Sequence, residues 1–319
     1  MITLEWVYIV VGALMAVVAA LSFRDRSNPR RLRTSLFWSL FALSFLGGSH
    51  IGDFANGLLV LAIAGVAAWG PGHSRAQTTS AAERQASAGR WKEALFAIAL
   101  VIPAVAVTGA LAVKAPGVDW TRVLDVKQAT VISLTLGALA ALAIGMLVLR
   151  PPLVAPFQEA RRLMDAIGWA AILPQALAAL GAVFALAGVG KVIGHLAAGA
   201  IPADSRLAVV VAYCVGMALF TMIIGNAFAA FPVMTAGIGL PLIVGKFGGD
   251  PAVMAAIGML SGFCGTLVTP MAANFNIVPA ALLDLPDRYA VIRAQAPTAL
   301  AMLVANTALM DLLVFHHWS

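Results

Sequence analysis

Long apolar runs separated by short polar stretches follow one another along the whole chain. The runs lack the two-residue alternation of a barrel strand, and lipid requires backbone groups to be paired within a helix or a closed barrel. Runs of this length therefore predict membrane-spanning helices. The predicted spans lie at about 5–23, 34–48, 55–70, 93–113, 128–149, 168–190 and 296–315.

The composition places these helices in a lipid bilayer. Hydrophobic residues make up 61% of the chain and charged residues 11%, whereas a soluble domain carries roughly 25% charged residues. A chain this poor in charge cannot cover a water-facing surface, and its net charge of +6 is expected to set orientation rather than to bind nucleic acid. We predict an all-α integral membrane fold with about eight transmembrane helices, together with a re-entrant hairpin and a discontinuous helix in the last third. Trp6–Phe23 lacks signal-peptide features and is expected to be a retained span.

A proline-rich break after the fifth predicted span divides the chain into two parts, 1–150 and 151–319. The first part is expected to hold N-terminal scaffold spans and a cytoplasmic linker at 71–92, a stretch rich in Ser, Thr, Gln and Ala. The second part opens with 157–166, which has the pattern of a short amphipathic helix at the membrane surface.

Basic residues are distributed unevenly between the predicted loops. With the N-terminus outside, most Lys and Arg residues fall in inside loops, among them the arginines of 24–33, as the positive-inside rule predicts. The seven tryptophans lie near predicted span ends, as in an aromatic belt. We therefore predict a multi-pass protein of the bacterial cytoplasmic (inner) membrane with both termini outside.

The segment 207–245 carries no charged residue and is about twice the length of one crossing. A turn must lie near its middle, and the most polar point there is Gly225-Asn226-Ala227. A single Asn followed by apolar residues favours a re-entrant hairpin whose tip stays within protein, where non-helical backbone is tolerated. The alternative is two complete spans joined by a tight turn, because an 18-residue arm reaches roughly 27 Å.

The segment 251–283 is also uncharged, too long for one straight crossing and short for two. Pro270 removes a backbone donor at its centre, and glycines before it weaken the helix. Thr266, Thr269, Asn274 and Asn276 supply polar side chains around the break. Such interrupted helices expose unpaired amides and carbonyls and mark binding sites in secondary transporters. The alternative is a proline kink whose Asn and Thr side chains join helices.

These motifs carry a resemblance to known carriers. Leu173-Pro174-Gln175, the Gly225-Asn226-Ala227 tip and the Thr266–Asn276 break together resemble the second half of an ion-transporter superfamily carrier, the group of divalent-anion/sodium symporters. Gly225 and Ala227 stand where those hairpin tips have hydroxyl residues. The chain as a whole, most closely over about 168–315, resembles the membrane subunit of a bacterial two-subunit pyroglutamate (5-oxoproline) transporter family.

The resemblance implies a subunit of a secondary transporter for a small carboxylate such as pyroglutamate. A second membrane subunit would supply the other inverted half, and the two could form a higher oligomer. We expect no cofactor, a coupling cation that is either Na⁺ or H⁺, and no enzymatic activity. The expected substrate- and ion-binding residues are Gly225, Asn226, Ala227, Gly265, Thr266, Thr269, Pro270, Asn274 and Asn276.

Two other functions compete with this interpretation. A scaffold or assembly subunit would share the membrane helices without contacting a solute. An intramembrane enzyme would need a catalytic set at depth, and the sequence offers no convincing one. Within the chain, 34–70 with Asp53 and Asn56 at its centre is either two short spans or a second hairpin.

The remaining polar residues point to chemistry less strongly. Asp311, near the end of the last span, is expected to be solvated or to contact another subunit, with proton coupling as the alternative. Gln175 could face the site or join helices. The histidines at 50, 73 and 195 are expected in loops, and the two cysteines are expected to pack without forming a disulfide or metal site.

Overall fold

The structure is a computed structural model that describes residues 1–72, 74, 80–115, 120–200, 202, 204–283 and 285–316. Across these ranges the fold is helical, and the strand-like pairing is a single bridge between Ile2 and Leu124. In the same ranges, seven helices are long and apolar enough to cross a membrane. The chain divides into two compact units, Met1–Gly168 and Trp169–Ser319.

The first unit consists of helices that coincide with the predicted spans, together with two polar helices. Among the described residues they are α1 Leu4–Arg24, α2 Arg31–Gly47, α3 Asp53–Trp69, α4 Ala81–Trp91, α5 Ala94–Ala112, α6 Ala129–Leu149 and α7 Ala155–Ile167. The most extensive packing in this unit is between α1 and α2 and between α5 and α6. A Cβ at Gly137 would lie 2.8 Å from the Ile102 carbonyl oxygen, so the small residue sets the α5–α6 approach, as is common between membrane helices.

The second half of the predicted linker at 71–92 contains a helix, Ala81–Trp91. Ser80 and Glu83 form a capping box, in which each side chain pairs with the other residue's backbone N–H, and this arrangement starts a helix. The sequence 81–91 is therefore helical, with a polar helix surface. His73 and 75–79 lie outside the described residues.

The surface helix α7 belongs to the first unit, although the sequence placed it in the second part. It packs against α1, and the Arg161 guanidinium pairs with the Asp25 carboxylate at 2.8 Å, with both side chains less than 10% exposed. Burial alone would raise the pKa of Asp25, but hydrogen bonds from Ser74 and Ser27 and the nearby guanidinium hold it below the ordinary value. The first unit accordingly extends to Gly168, whereas the sequence predicted a boundary at 150.

The region 34–70 forms two helices, α2 and α3, joined by a short turn. The Asn56 side-chain amide donates to the Gly48 and Ile51 carbonyls at 2.8 and 2.9 Å. Asp53 is the first residue of α3. The hydrogen bonds account for Asn56 as a residue that holds the turn, and Asp53 is accounted for by its position at the start of α3.

The second unit contains the two uncharged segments. Its described helices are α8 Leu173–Leu186, α9 Val189–Ala200, α10 Arg206–Ile224, α11 Ala227–Met234 continued by a π-helical segment Thr235–Lys246, α12 Pro251–Leu267, α13 Ala273–Leu282 and α14 Ala290–Leu313. The core lies between α10, α12, α14 and the π-helical segment, around Tyr213, Met217, Met254 and Met310. Pro241 within the π-helical segment lacks the N–H that a regular α-helix would use.

The predicted span 168–190 is wrong as a single helix. It begins with a 3₁₀ turn and is interrupted at Gly188, which has φ +70°. α8 packs on α11, and α9 packs on the π-helical segment. A Cβ at Gly181 would lie 2.8 Å from Ala229, and one at Gly194 would lie 3.0 Å from the Gly237 carbonyl. Because of the interruption, α8 can pack closely against α11 while α9 packs closely against the π-helical segment. His195 consequently lies on α9 rather than in a loop.

Candidate functional site

The first uncharged segment is interrupted at the predicted tip. α10 ends at Ile224, and Gly225 adopts φ +88°, a left-handed conformation that other residues adopt only at a cost. Asn226 is extended, and its Oδ1 accepts a 2.8 Å hydrogen bond from the Phe228 amide. Glycine thus ends one helix, and asparagine caps the start of the next.

The second uncharged segment is interrupted between Leu267 and Ala273. The Asn276 side chain is completely buried, and its amide donates to the Thr266 and Thr269 carbonyls at 2.8 and 2.7 Å. These carbonyls lose their helical partners at the break, so Asn276 supplies the donors that the helix no longer provides. Pro270 lies within the break and is exposed.

The two interruptions lie against each other. A Cβ at Gly225 would lie 2.6 Å from the Met271 carbonyl oxygen. The Thr269 hydroxyl donates to the Met222 carbonyl at the end of α10 at 2.8 Å. One turn earlier, a Cβ at Gly265 would lie 2.2 Å from the Ala218 carbonyl. The ends of α10 and α12 and the starts of α11 and α13 therefore meet in one place.

We call the place where the two helix breaks meet the crossing. The electrostatic field there comes from the backbone, because both segments lack charged side chains. The starts of α11 and α13 carry partial positive charge, and the ends of α10 and α12 carry partial negative charge. At the start of α13, the amides of Phe275 and Asn276 bond to the Ala272 carbonyl. The amides of Ala273 and Asn274 have no partner among the described residues. The starts of α11 and α13 are therefore suited to an anionic group, and the ends of α10 and α12 are suited to a cation.

Most of the polar residues predicted for the site serve the structure of the breaks. Thr266 is buried, with its hydroxyl bonded to the Phe263 carbonyl at 2.6 Å. Thr269 joins the two breaks, and Asn276 holds the second break. Asn226 and Asn274 differ from these, because both are partly exposed. The Asn226 amide group and the whole Asn274 side chain make no hydrogen bond with the described residues.

The apolar predicted residues set the distances between the helices. Ala227 is buried, and its Cβ would lie 3.1 Å from a Cβ placed at Gly262. A side chain at either glycine, 225 or 265, would meet a backbone carbonyl. These residues are positioned to bring backbone groups together rather than to contact a solute through their own side chains.

An exposed apolar rim lies beside the crossing. The relative exposures of Phe228, Met271 and Phe275 are 61%, 54% and 41%. The Phe228 ring meets the Phe263 ring edge-on, with centroids 5.8 Å apart. Irregular backbone and large apolar side chains therefore share one face of the second unit.

Two buried polar groups at this site are unpaired within the part of the chain that the structure describes, and one of them, on Thr221, was not predicted from the sequence. The Thr221 hydroxyl and the Asn276 Oδ1 atom have no hydrogen-bond partner among the described residues. Thr221 lies one turn before Gly225, and its carbonyl accepts from the Gly225 amide at 2.6 Å. A hydroxyl residue four positions before a helix-ending glycine is the signal that could have indicated it.

Asp311 lies at the opposite end of α10 from the helix breaks. Asp311 approaches the Arg206 guanidinium at 3.7 Å beside a cavity of about 590 Å³ between α10 and α14. Gln175 is exposed on α8. Within the described residues, His, Cys, Asp and Glu form no group of three or more that could hold a metal ion.

The apolar helices and the charge-free crossing of helix ends define a multi-pass helical membrane protein. Residues 5–315 match the family described as Protein of unknown function (DUF979), and the chain belongs to that family. No curated protein and no solved structure matches the chain.

Proposed function

We propose that the protein is a subunit of a secondary transporter for a small carboxylate, with pyroglutamate (5-oxoproline) as the substrate to test. The observation that carries the proposal is the contact between the two helix breaks, where Gly225 lies against Met271 and Thr269 bonds to the Met222 carbonyl. Helix breaks that meet in a charge-free region are the sites at which secondary transporters bind solutes and coupling ions.

The carboxylate would bind at the starts of α11 and α13. The unpaired amides of Ala273 and Asn274 are suited to an anion. The open side-chain groups of Asn226 and Asn274 offer further donors and, at Asn274, an acceptor. An amide side chain matches both the N–H and the C=O of a lactam ring, which supports pyroglutamate among small carboxylates.

The coupling cation, Na⁺ or H⁺, would bind at the carbonyl ends of α10 and α12. Asn276 Oδ1 is an uncharged oxygen without a partner there. An amide oxygen is suited to ligating Na⁺ beside backbone carbonyls. We propose that this oxygen, rather than a carboxylate, contributes to the cation site.

A second membrane subunit would cover the exposed face of the crossing. Pro270 and Met271 lie in non-helical backbone and are exposed. Irregular backbone at membrane depth is tolerated only when it is covered by protein or lines a water-filled cavity. The rim of Phe228, Met271 and Phe275 supports a protein contact there, and we propose that 207–245 is a re-entrant hairpin facing that partner.

The test is uptake of radiolabelled pyroglutamate into vesicles that contain the chain and its partner subunit. The substitution Asn274→Leu removes an open amide group without removing a protein hydrogen bond. We expect uptake to fall by about ten-fold or more, since a hydrogen bond to a charged group contributes about 1.5–3 kcal/mol. Asn274→Asp is expected to lose at least as much, because it adds a charge of the same sign as the substrate.

Thr108→Leu is the matched control, since Thr108 is an exposed α5 residue that bonds only to its own helix. It is expected to retain uptake. All variants are compared at equal membrane abundance. Normal uptake by both Asn274 variants would overturn the binding site.

A scaffold subunit is the second candidate function. It is favoured by the observation that Thr266, Thr269 and Asn276 are already bonded within the protein. In that case, photo-crosslinkable pyroglutamate would label only the partner subunit. Labelling of the break at 268–276 would favour the transporter subunit.

A further inference from the structure

A groove lined by small side chains and by a basic end lies between α1 and α2 in the first unit. We define the α1–α2 groove by its lining residues, which are Ala16, Ala19, Ala20, Phe23, Arg24, Ser35, Ser39 and Ala42. Its volume is about 560 Å³. Apart from Phe23 and Arg24 at one end, every lining side chain is Ala or Ser, so small side chains line most of its length.

The floor of this groove is fixed by the packing of the two helices. Ala19 and Ala42 are 4% and 5% exposed. The Ser35 hydroxyl donates to the Ala19 carbonyl at 3.0 Å and so joins α2 to α1. Ala16, Ala20 and Ser39 form exposed walls. From Ala16 to Arg24 the groove extends about 12 Å along α1, a length suited to part of an extended acyl chain.

The end of the groove is strongly basic. Arg24 lines it, and the Arg31 guanidinium lies 6.0 Å from the centre of the Phe23 ring, which also lines it. The only carboxylate in the connecting loop, Asp25, is already paired with Arg161. Arg24, Arg26 and Arg31 make no ion pair with the described residues. Positive charge at this end of the groove is therefore uncompensated.

We propose that the α1–α2 groove binds an anionic phospholipid. One acyl chain lies along the alanine and serine walls, and the headgroup phosphate lies between Arg24 and Arg31. Basic pockets between membrane helices bind anionic headgroups in this manner. Guanidinium groups also pair with phosphate oxygens through two parallel hydrogen bonds. A zwitterionic lipid fills the same groove but leaves the basic end without net compensation.

The experiment measures lipid binding to the full chain purified in detergent, by native mass spectrometry and by thermal unfolding followed by tryptophan fluorescence. The probes are dioleoylphosphatidylglycerol, dioleoylphosphatidylcholine and inorganic phosphate. We expect the anionic lipid to bind at least about five-fold more tightly than the zwitterionic lipid. Inorganic phosphate is expected to give no stabilisation, because it lacks the acyl chain.

Two kinds of variant separate the headgroup contact from the groove. Arg24→Gln with Arg31→Gln is expected to abolish the preference for the anionic lipid, whereas Arg24→Lys with Arg31→Lys retains it. Ala20→Leu fills the groove and is expected to weaken binding of both lipids. Arg288→Gln is the matched control, since Arg288 is exposed and lies over Tyr289 in the second unit.

Each alternative result overturns the proposal. Equal binding of both lipids would remove the role of the arginines. An anionic preference that survives in the double Gln variant would place the lipid elsewhere, as would unchanged binding in Ala20→Leu. Stabilisation by phosphate equal to that by phosphatidylglycerol would assign the basic end to a soluble anion.

Discussion

At the scale of single residues, the helix breaks depend on two kinds of side chain. Gly225 allows a left-handed backbone and the approach of the Met271 carbonyl. Asn226 and Asn276 replace helical hydrogen bonds with side-chain ones. These two roles of Gly225, the left-handed backbone and the close approach, can be separated by comparison with Gly248. Gly248 has a similar φ of +68° but has open space around it.

Gly225→Ala is therefore expected to destabilise the protein more than Gly248→Ala. Both changes place a side chain in the left-handed region, at a cost of about 1–2 kcal/mol. Only the first also drives a methyl group against a carbonyl oxygen, at 2.6 Å. The measurement is the midpoint of thermal unfolding of each variant in the same detergent. Equal losses would mean that the Gly225–Met271 contact is relaxed in the protein.

At the scale of elements, the break between α12 and α13 is a built feature rather than a simple proline kink. Pro270 accounts for the loss of one donor, but Asn276 pairs two of the freed carbonyls from the following helix. Asn274, two residues earlier, is partly exposed and makes no such bond. Neighbouring asparagines thus have different roles, and the difference is testable.

Asn276→Leu is expected to reduce stability by about 2–4 kcal/mol, because two buried carbonyls would lose their donor. Hydrogen exchange of the amides of Val268, Thr269, Met271 and Ala272 is expected to become faster. Asn274→Leu, the matched control, is expected to change stability by less than about 0.5 kcal/mol. If the Asn276→Leu and Asn274→Leu variants unfold at the same temperature, the break does not depend on the Asn276 bonds.

The sequence predicted the elements better than their interruptions. Helices α1, α3, α5, α6 and α14 lie where the apolar runs predict them, because hydrophobicity is read locally. The interruption at Gly188 was missed, although glycine there is visible in the sequence. It arises from the packing of α8 and α9 on glycine-containing neighbours, and the sequence does not state which helices become neighbours.

At the scale of the whole molecule, the number of crossings constrains the orientation. Seven helices in the described part of the chain have the length and composition to cross a membrane. Seven complete crossings would place the termini on opposite sides. Both termini outside requires an even number. It is reached if Arg206–Ile224 and Ala227–Lys246 form the proposed hairpin without crossing, which leaves five, and if α2, α3 and the broken helix of α12 and α13 each cross once, which gives eight. The distribution of basic residues favours that topology.

Fusions to the C-terminus test this prediction. Alkaline phosphatase, which is active only outside the cytoplasmic membrane, is expected to be active at the C-terminus. Green fluorescent protein at the same position is expected to be dark. The control is the same pair of reporters inserted after Ser27, in the arginine-rich loop, where the opposite pattern is expected. Fluorescence at both positions would contradict the positive-inside assignment.

The sequence by itself determined that the protein lies in a lipid bilayer, that its fold is helical, and where the two uncharged segments break. These follow from hydrophobicity, charge and the local conformational limits of Gly and Pro, which do not depend on distant residues. Only the tertiary structure decided that the two breaks meet, because the bond from Thr269 to the Met222 carbonyl joins residues 47 apart. It also decided that Thr266, Thr269 and Asn276 hold the breaks while Asn226 and Asn274 remain open, since partners for buried polar groups are set by packing.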